Sequence, residues 1–73
     1  MPLIDVHLVK NVLSPEKKKE LAAAMTDTMA RFYGEAMRPH IWVRVLETEE
    51  GHWAIGGQTI DAAAVKAAQG GAG

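Results

Sequence analysis

The chain opens "MPLIDVH", and the proline at position 2 is its first residue with chemical promise. Proline is a small penultimate residue, so the cell's aminopeptidase is expected to remove Met1 and leave Pro2 as the N-terminus. Its ring nitrogen is then a secondary amine, able to take up a proton or attack a carbonyl. Many proteins begin Met-Pro and make no use of it, so Pro2 needs partners. Arg44, inside "HIWVRVLE", is one candidate, because a planar guanidinium fork matches a carboxylate in bidentate geometry. The alternative for a strand arginine is an ion pair at an interface. Trp42 and Trp53 are large apolar surfaces in a very small protein, and Trp42 is expected to pack at a subunit contact.

Other chemistries find no support. No Ser/His/Asp order suggests a nucleophile, and "AIGGQT" lacks the spacing and the lysine of a phosphate loop. Glu47, Glu49 and Glu50 cluster near a turn, where solvated carboxylates are ordinary, and they are not read as an acid/base pair. His7, His40 and His52 are too scattered for a zinc-ligand spacing; His52, beside the turn, reads as a structural hydrogen-bonding residue. Cysteine is absent, which removes disulfides and thiolate metal sites. A net charge of −1 argues against a nucleic-acid partner. The basic run Lys17–Lys18–Lys19, flanked by Glu16 and Glu20, reads as a solvated helix face with local charge pairs. No apolar run approaches the roughly 20 residues that span a bilayer, and the N-terminus lacks the basic flank and apolar core of a secretory signal. A soluble, cytoplasmic protein with no membrane partner is the expectation.

These residues need a scaffold, and 73 residues allow one domain, residues 1–73, with about 68–73 a flexible Gly/Ala tail. Hydrophobic residues make up 48% and charged residues 23%, the balance of an ordinary globular protein. A chain this short buries only about 60% of its unfolded surface. Without disulfides or a structural metal, oligomerisation is the remaining staple.

The alternation of "PLIDVHLVK" predicts a strand, with Ile4, Val6 and Leu8 toward a core and Leu3, Asp5, His7 and Val9 on a mixed face. A helix follows, with Ser14 as cap, Pro15 at its first position and Glu16 at its positive end. Its buried stripe is read as Leu21, Met25, Thr28, Met29 and Phe32, and Gly34 is a left-handed stop. After a turn at Arg38–Pro39, "HIWVRVLE" is a second strand, with Ile41, Val43 and Val45 on its apolar face. Strand, helix, strand makes a β-α-β unit with parallel strands. Beyond the turn at Glu50–Gly51, Gly56–Gly57 closes a short hairpin carrying Trp53 and Ile55, and one or two helical turns follow Asp61. The fold class is α+β. One helix covers one sheet face and leaves Leu3, Val9, Trp42 and Leu46 uncovered, so a homo-oligomer that extends and stacks its sheets is expected.

Taken together, "MPLIDVHLV", "SPEKKKEL", "VRV" and "GHWAIGG" resemble the 4-oxalocrotonate tautomerase family of N-terminal-proline enzymes, from Met1 to about Gly57. The resemblance implies a β-α-β unit with a short hairpin, assembled as a homohexamer, a trimer of dimers. It implies an enol–keto tautomerase of 2-hydroxy-dienoates or other 2-oxo acids, of the kind met in aromatic-compound catabolism, needing no metal or organic cofactor. Pro2 matches the family's catalytic base, Arg44 its carboxylate-binding arginine, often donated by a neighbouring subunit, and Trp53 the aromatic wall of the site. One departure stands out. A second arginine follows the first strand in the best-known members, and here Val12 or Leu13 occupies the matching position. Lys10 or Asn11 is near the same space, but neither offers a bidentate fork. A monocarboxylate with an apolar far end fits Val12 and Leu13 better than a dicarboxylate. The alternatives are a hydratase, dehalogenase or decarboxylase built on the same proline, or a non-catalytic oligomeric binding module.

Overall fold

A computed structural model describes residues 1–70. Strand β1 (Leu3–Val9) leads into helix α1 (Pro15–Tyr33), a 3-10 helix (Glu35–His40), strand β2 (Trp42–Thr48), strands β3 (Trp53–Ile55) and β4 (Gln58–Ile60), and helix α2 (Ala62–Ala68). β1 and β2 run parallel, in register from Leu3 opposite Trp42 to Val9 opposite Thr48. A parallel pair needs a long crossover, which α1 supplies. The expected β-α-β unit and C-terminal hairpin are both present.

Helix α1 starts as its sequence dictates. The Lys17 N–H donates to Ser14 Oγ at 3.1 Å, Pro15 takes the first turn, and Glu16 lies at the positive end. Its end differs from expectation. Gly34 donates its N–H to the Ala30 carbonyl at 2.9 Å, but with φ 108° and ψ 136° it is extended rather than left-handed helical, a positive-φ geometry that suits glycine. The Arg38–Pro39 turn is part of the 3-10 helix. Arg38 ties it back to α1 by reaching Asp27 at 2.6 Å, and holds Glu35 within the same 3-10 helix at 2.6 Å.

The α1 stripe comprises half-buried Leu21, Ala22, Met25, Thr26, Thr28 and Met29 with fully buried Ala30. Phe32 does not join it and is 86% exposed. A 19-residue helix is about 28 Å long, whereas seven strand residues cover about 23 Å. Phe32 falls in the last turn, where the helix outruns the sheet. Ile4, Val6, Leu8, Val43 and Val45 are half-buried, as their alternation requires.

The opposite sheet face is only partly open. Leu3 and Trp42 are 53% and 55% exposed, but Leu46 is half-buried and Val9 is buried. Val9 is covered because the C-terminal segment folds over that end of β1. There it forms a small core with Val12 and Ala62, against which Leu13, Trp53, Ile60 and Val65 pack. Among the described residues no large side chain is fully buried, so a single chain leaves much apolar surface in water.

The hairpin pairs Trp53 with Ile60 and Ile55 with Gln58. Gly56 and Gly57 turn it with φ 57° and 83°, the two positive values a tight two-residue loop demands. Asp61 caps α2 by accepting the Ala64 N–H at 2.8 Å. The helix runs to Ala68, and Gly70 closes it by donating its N–H to the Ala67 carbonyl at 3.1 Å. Of the expected tail, residues 71–73 lie outside the described residues.

Candidate active site

Pro2 is half-buried and immediately precedes β1. Its carbonyl accepts the Trp42 N–H at 3.0 Å, which fixes it at the head of the parallel pair. With Met1 attached, its nitrogen is a tertiary amide; loss of Met1 converts it to an amine.

Arg44 lies three register positions along, opposite Asp5. Its Nε donates to Asp5 Oδ1 and its Nη2 to Asp5 Oδ2, each at 2.9 Å. The fork therefore grips a carboxylate bidentately, and that carboxylate belongs to the chain itself. Arg44's hydrogen bonds hold the Asp5 carboxyl below the usual carboxylate range, and Asp5 in turn raises Arg44.

Val12, Leu13 and Trp53 gather at the far end of β1. Val12 belongs to the buried core there, and Leu13 and Trp53 pack against it. A cavity of about 350 Å³ opens among the β1–α1 connection, the hairpin and α2; eight of its ten lining residues are apolar, and His7 and Gln69 are the polar two. Pro2 and Arg44 are not among them. The seven residues of β1 separate Pro2 from this cluster by roughly 23 Å. One chain thus brings Val12, Leu13 and Trp53 together, but not with Pro2.

Lys10 follows β1 but is engaged elsewhere, its Nζ lying 2.8 Å from Glu49 Oε1. This bond raises the Lys10 pKa and lowers that of Glu49. The other two glutamates expected to be solvated also have partners. Glu47 receives Lys18 at 3.0 Å, so the middle lysine of the basic run bridges helix to strand. Lys17 keeps to its own helix, 3.5 Å from Glu20. Glu50 accepts the Asn11 amide at 2.9 Å and the Ala62 backbone N–H at 2.7 Å; the backbone bond first, then Asn11, lowers its pKa. His52 holds the turn through its backbone N–H, which donates to the Glu49 carbonyl at 3.0 Å. These contacts lash the end of β2 to the connection after β1 and to the start of α2.

Sequence reasoning missed Asp5 as the occupant of Arg44 and missed Ile60 and Val65 as cavity walls. The first is recoverable once the parallel register is fixed. The second depends on how α2 folds back, which no local pattern specifies. Among the described residues there is no group of three or more His, Asp or Glu able to hold a metal ion, and no helix is long and apolar enough to cross a membrane.

Comparison with known proteins places this arrangement in context. The family model described as Tautomerase enzyme matches residues 2–63. A protein of Campylobacter jejuni subsp. jejuni serotype O:2, named "Probable tautomerase Cj0270", is 30% identical over 69 residues, covering 94% of this chain and 100% of that one. Among solved structures, the 4-oxalocrotonate tautomerase homologue TTHB242 is 33% identical with a TM-score of 0.70, over 78% of this chain and 87% of that one. TomN, a 4-oxalocrotonate tautomerase homologue in the tomaymycin biosynthetic pathway, is 30% identical with a TM-score of 0.73, over 90% and 95%.

Proposed function

Because the chain belongs to the tautomerase enzyme family, whose model spans residues 2–63, we propose that it is a cofactor-independent tautomerase of 2-hydroxy-dienoates or related 2-oxo acids. The Pro2 amine, freed by loss of Met1, is the general base. It takes a proton from the enol hydroxyl, or from carbon beside the carbonyl, and its protonated form returns one at the other end of the conjugated system. An ordinary α-amino group titrates at about 7.7–8.0; an apolar site and a nearby guanidinium both disfavour its protonated form. The amine is then free to act near neutral pH. Arg44 holds the substrate carboxylate or 2-oxo group where negative charge develops, and Trp53 walls the site against water.

The observation that carries this reading is the Arg44 fork. Two parallel bonds of 2.9 Å to Asp5 are the geometry in which a substrate carboxylate would be bound. Pro2 and the Val12–Leu13–Trp53 cluster sit at opposite ends of one β1, so a complete site draws on more than one copy of the chain. Exposed Leu3 and Trp42 offer the surface for that assembly, which we take to be a homohexamer, a trimer of dimers. The Asp5–Arg44 pair also favours a second reading, in which Arg44 is purely structural and the assembly binds without catalysis.

Kinetics on the Met1-free protein separate the two. Pro2→Ala is expected to lower kcat by ~10²–10⁴-fold, the usual share of a general base, and Arg44→Ala to lower kcat/KM with KM raised. Native protein that ketonises no 2-hydroxy-dienoate or aryl-pyruvate enol faster than buffer would leave only the binding module.

A further inference from the structure

We propose that the cavity beneath the hairpin receives the far end of the substrate and selects an uncharged apolar group of about aryl size, making the preferred substrate a monocarboxylic 2-oxo acid enol. The assignment of the occupant as substrate rests on the tautomerase reading above.

Size comes first. The cavity measures about 350 Å³, within the usual span of small-molecule sites. A dry cavity of about 150 Å³ already accepts benzene, so a phenyl ring and its linking carbons fit here. The walls point the same way. Val12 and Leu13 come from the β1–α1 connection, Trp53 and Ile60 from the hairpin and Val65 from α2, while the polar members His7 and Gln69 carry no fixed positive charge.

Charge decides against a second carboxylate. Two lysines at this end of the molecule are already matched. Lys10 is bound to Glu49 at 2.8 Å and Lys18 to Glu47 at 3.0 Å. The Asn11 amide is likewise spent on Glu50. A distal carboxylate entering the cavity would lose part of its water and find no lysine or arginine among the lining residues. An ionised group buried without a partner is strongly disfavoured, whereas an aryl group gains by leaving water.

The test uses the assembled full-length protein and two unreactive probes, 3-phenylpropanoate and adipate, titrated calorimetrically. The expected result is at least tenfold tighter binding of the phenyl acid, with Val65→Phe or Ile60→Phe, each reducing the cavity, erasing the preference. Adipate binding as tightly as the phenyl acid, no binding of either because another copy fills the cavity, or a preference untouched by both variants would overturn the proposal. Turnover is read separately. If phenylpropanoate binds as expected but no enol is ketonised, the pocket stands and the tautomerase reading fails. If 2-hydroxymuconate is turned over with higher kcat/KM than phenylpyruvate enol, the enzyme reading stands and the pocket assignment fails.

Discussion

Asp5 and Arg44 face each other across the parallel β1–β2 pair and share two hydrogen bonds of 2.9 Å, one to each carboxylate oxygen. Asp5 is therefore an internal rival for the group that would hold the substrate. Its carboxyl is held below the usual range by Arg44, so it stays ionised and competitive throughout the neutral range. Asp5→Asn is expected to free the fork and lower KM severalfold with little change in kcat. Arg44→Ala is expected to cost roughly 10–100-fold in kcat/KM, since hydrogen bonds to charged groups contribute about 1.5–3 kcal/mol. Steady-state kinetics on both variants check this; a raised KM in Asp5→Asn would mean that Asp5 positions Arg44 instead of competing for it.

Lys10 is the nearest lysine to the position of a second clamp, yet Glu49 already occupies it. Both side chains are substantially exposed, and exposed pairs contribute little. Lys10→Ala is accordingly expected to change kcat/KM by less than about threefold, a small effect beside that of Arg44→Ala. The reverse ranking would move the carboxylate clamp to the loop after β1.

Acid should loosen the C-terminal segment. Glu49 and Glu50 are held below their ordinary value of 4.5 and Asp5 below its ordinary 3.8. A carboxyl with a depressed folded-state pKa adds stability above its unfolded value and loses it as pH falls through the folded value. The melting temperature is expected to be level from pH 7 to 5 and to fall below about 4.5, the ordinary glutamate value. Tryptophan fluorescence should shift with it, because Trp53 packs on the core that Glu50 helps to close. Glu50→Gln should blunt the fall; an unchanged acid profile in that variant would remove Glu50 from the account.

Shared sites leave a recognisable signature. Pro2 and Trp53 lie at opposite ends of one chain, so Pro2→Ala and Trp53→Ala protein, mixed and refolded together, should form some sites with both residues intact. Activity well above either parent is expected. A mixture no better than the sum of its parts would confine the site to a single chain.

Much of this architecture was legible because local signals and tertiary needs agree. Ser14–Pro15 begins a helix, Gly56–Gly57 turns a hairpin, and the alternation in Ile4, Val6 and Leu8 names the covered face. The misreadings arose where long-range packing decides. Phe32 has the right helical spacing but falls where α1 outruns the sheet. Val9 alternates onto the open face, and α2 and the hairpin then cover it. Glu47, Glu49 and Glu50 are exposed, as their place near a turn implied, and what the sequence did not reveal is the partner each acquires when distant segments meet. For the candidate site, Pro2, Arg44 and Trp53 stand out by residue type and motif. That Arg44 holds Asp5, and that Pro2 lies far from Trp53 on one chain, follow from strand register and strand length.

The most direct measurement compares one preparation with and without Met1. Protein in which Met1 is retained, verified by intact mass, has an amide at Pro2, whose nitrogen lone pair is delocalised into the carbonyl and does not accept a proton. Trimming it with methionine aminopeptidase changes one covalent bond and leaves the fold alone. Enol ketonisation is expected at background before trimming, with a rise of ~10²–10⁴-fold after it, the usual share of a general base. Equal activity in the two forms would contradict the assignment of the Pro2 amine as the base.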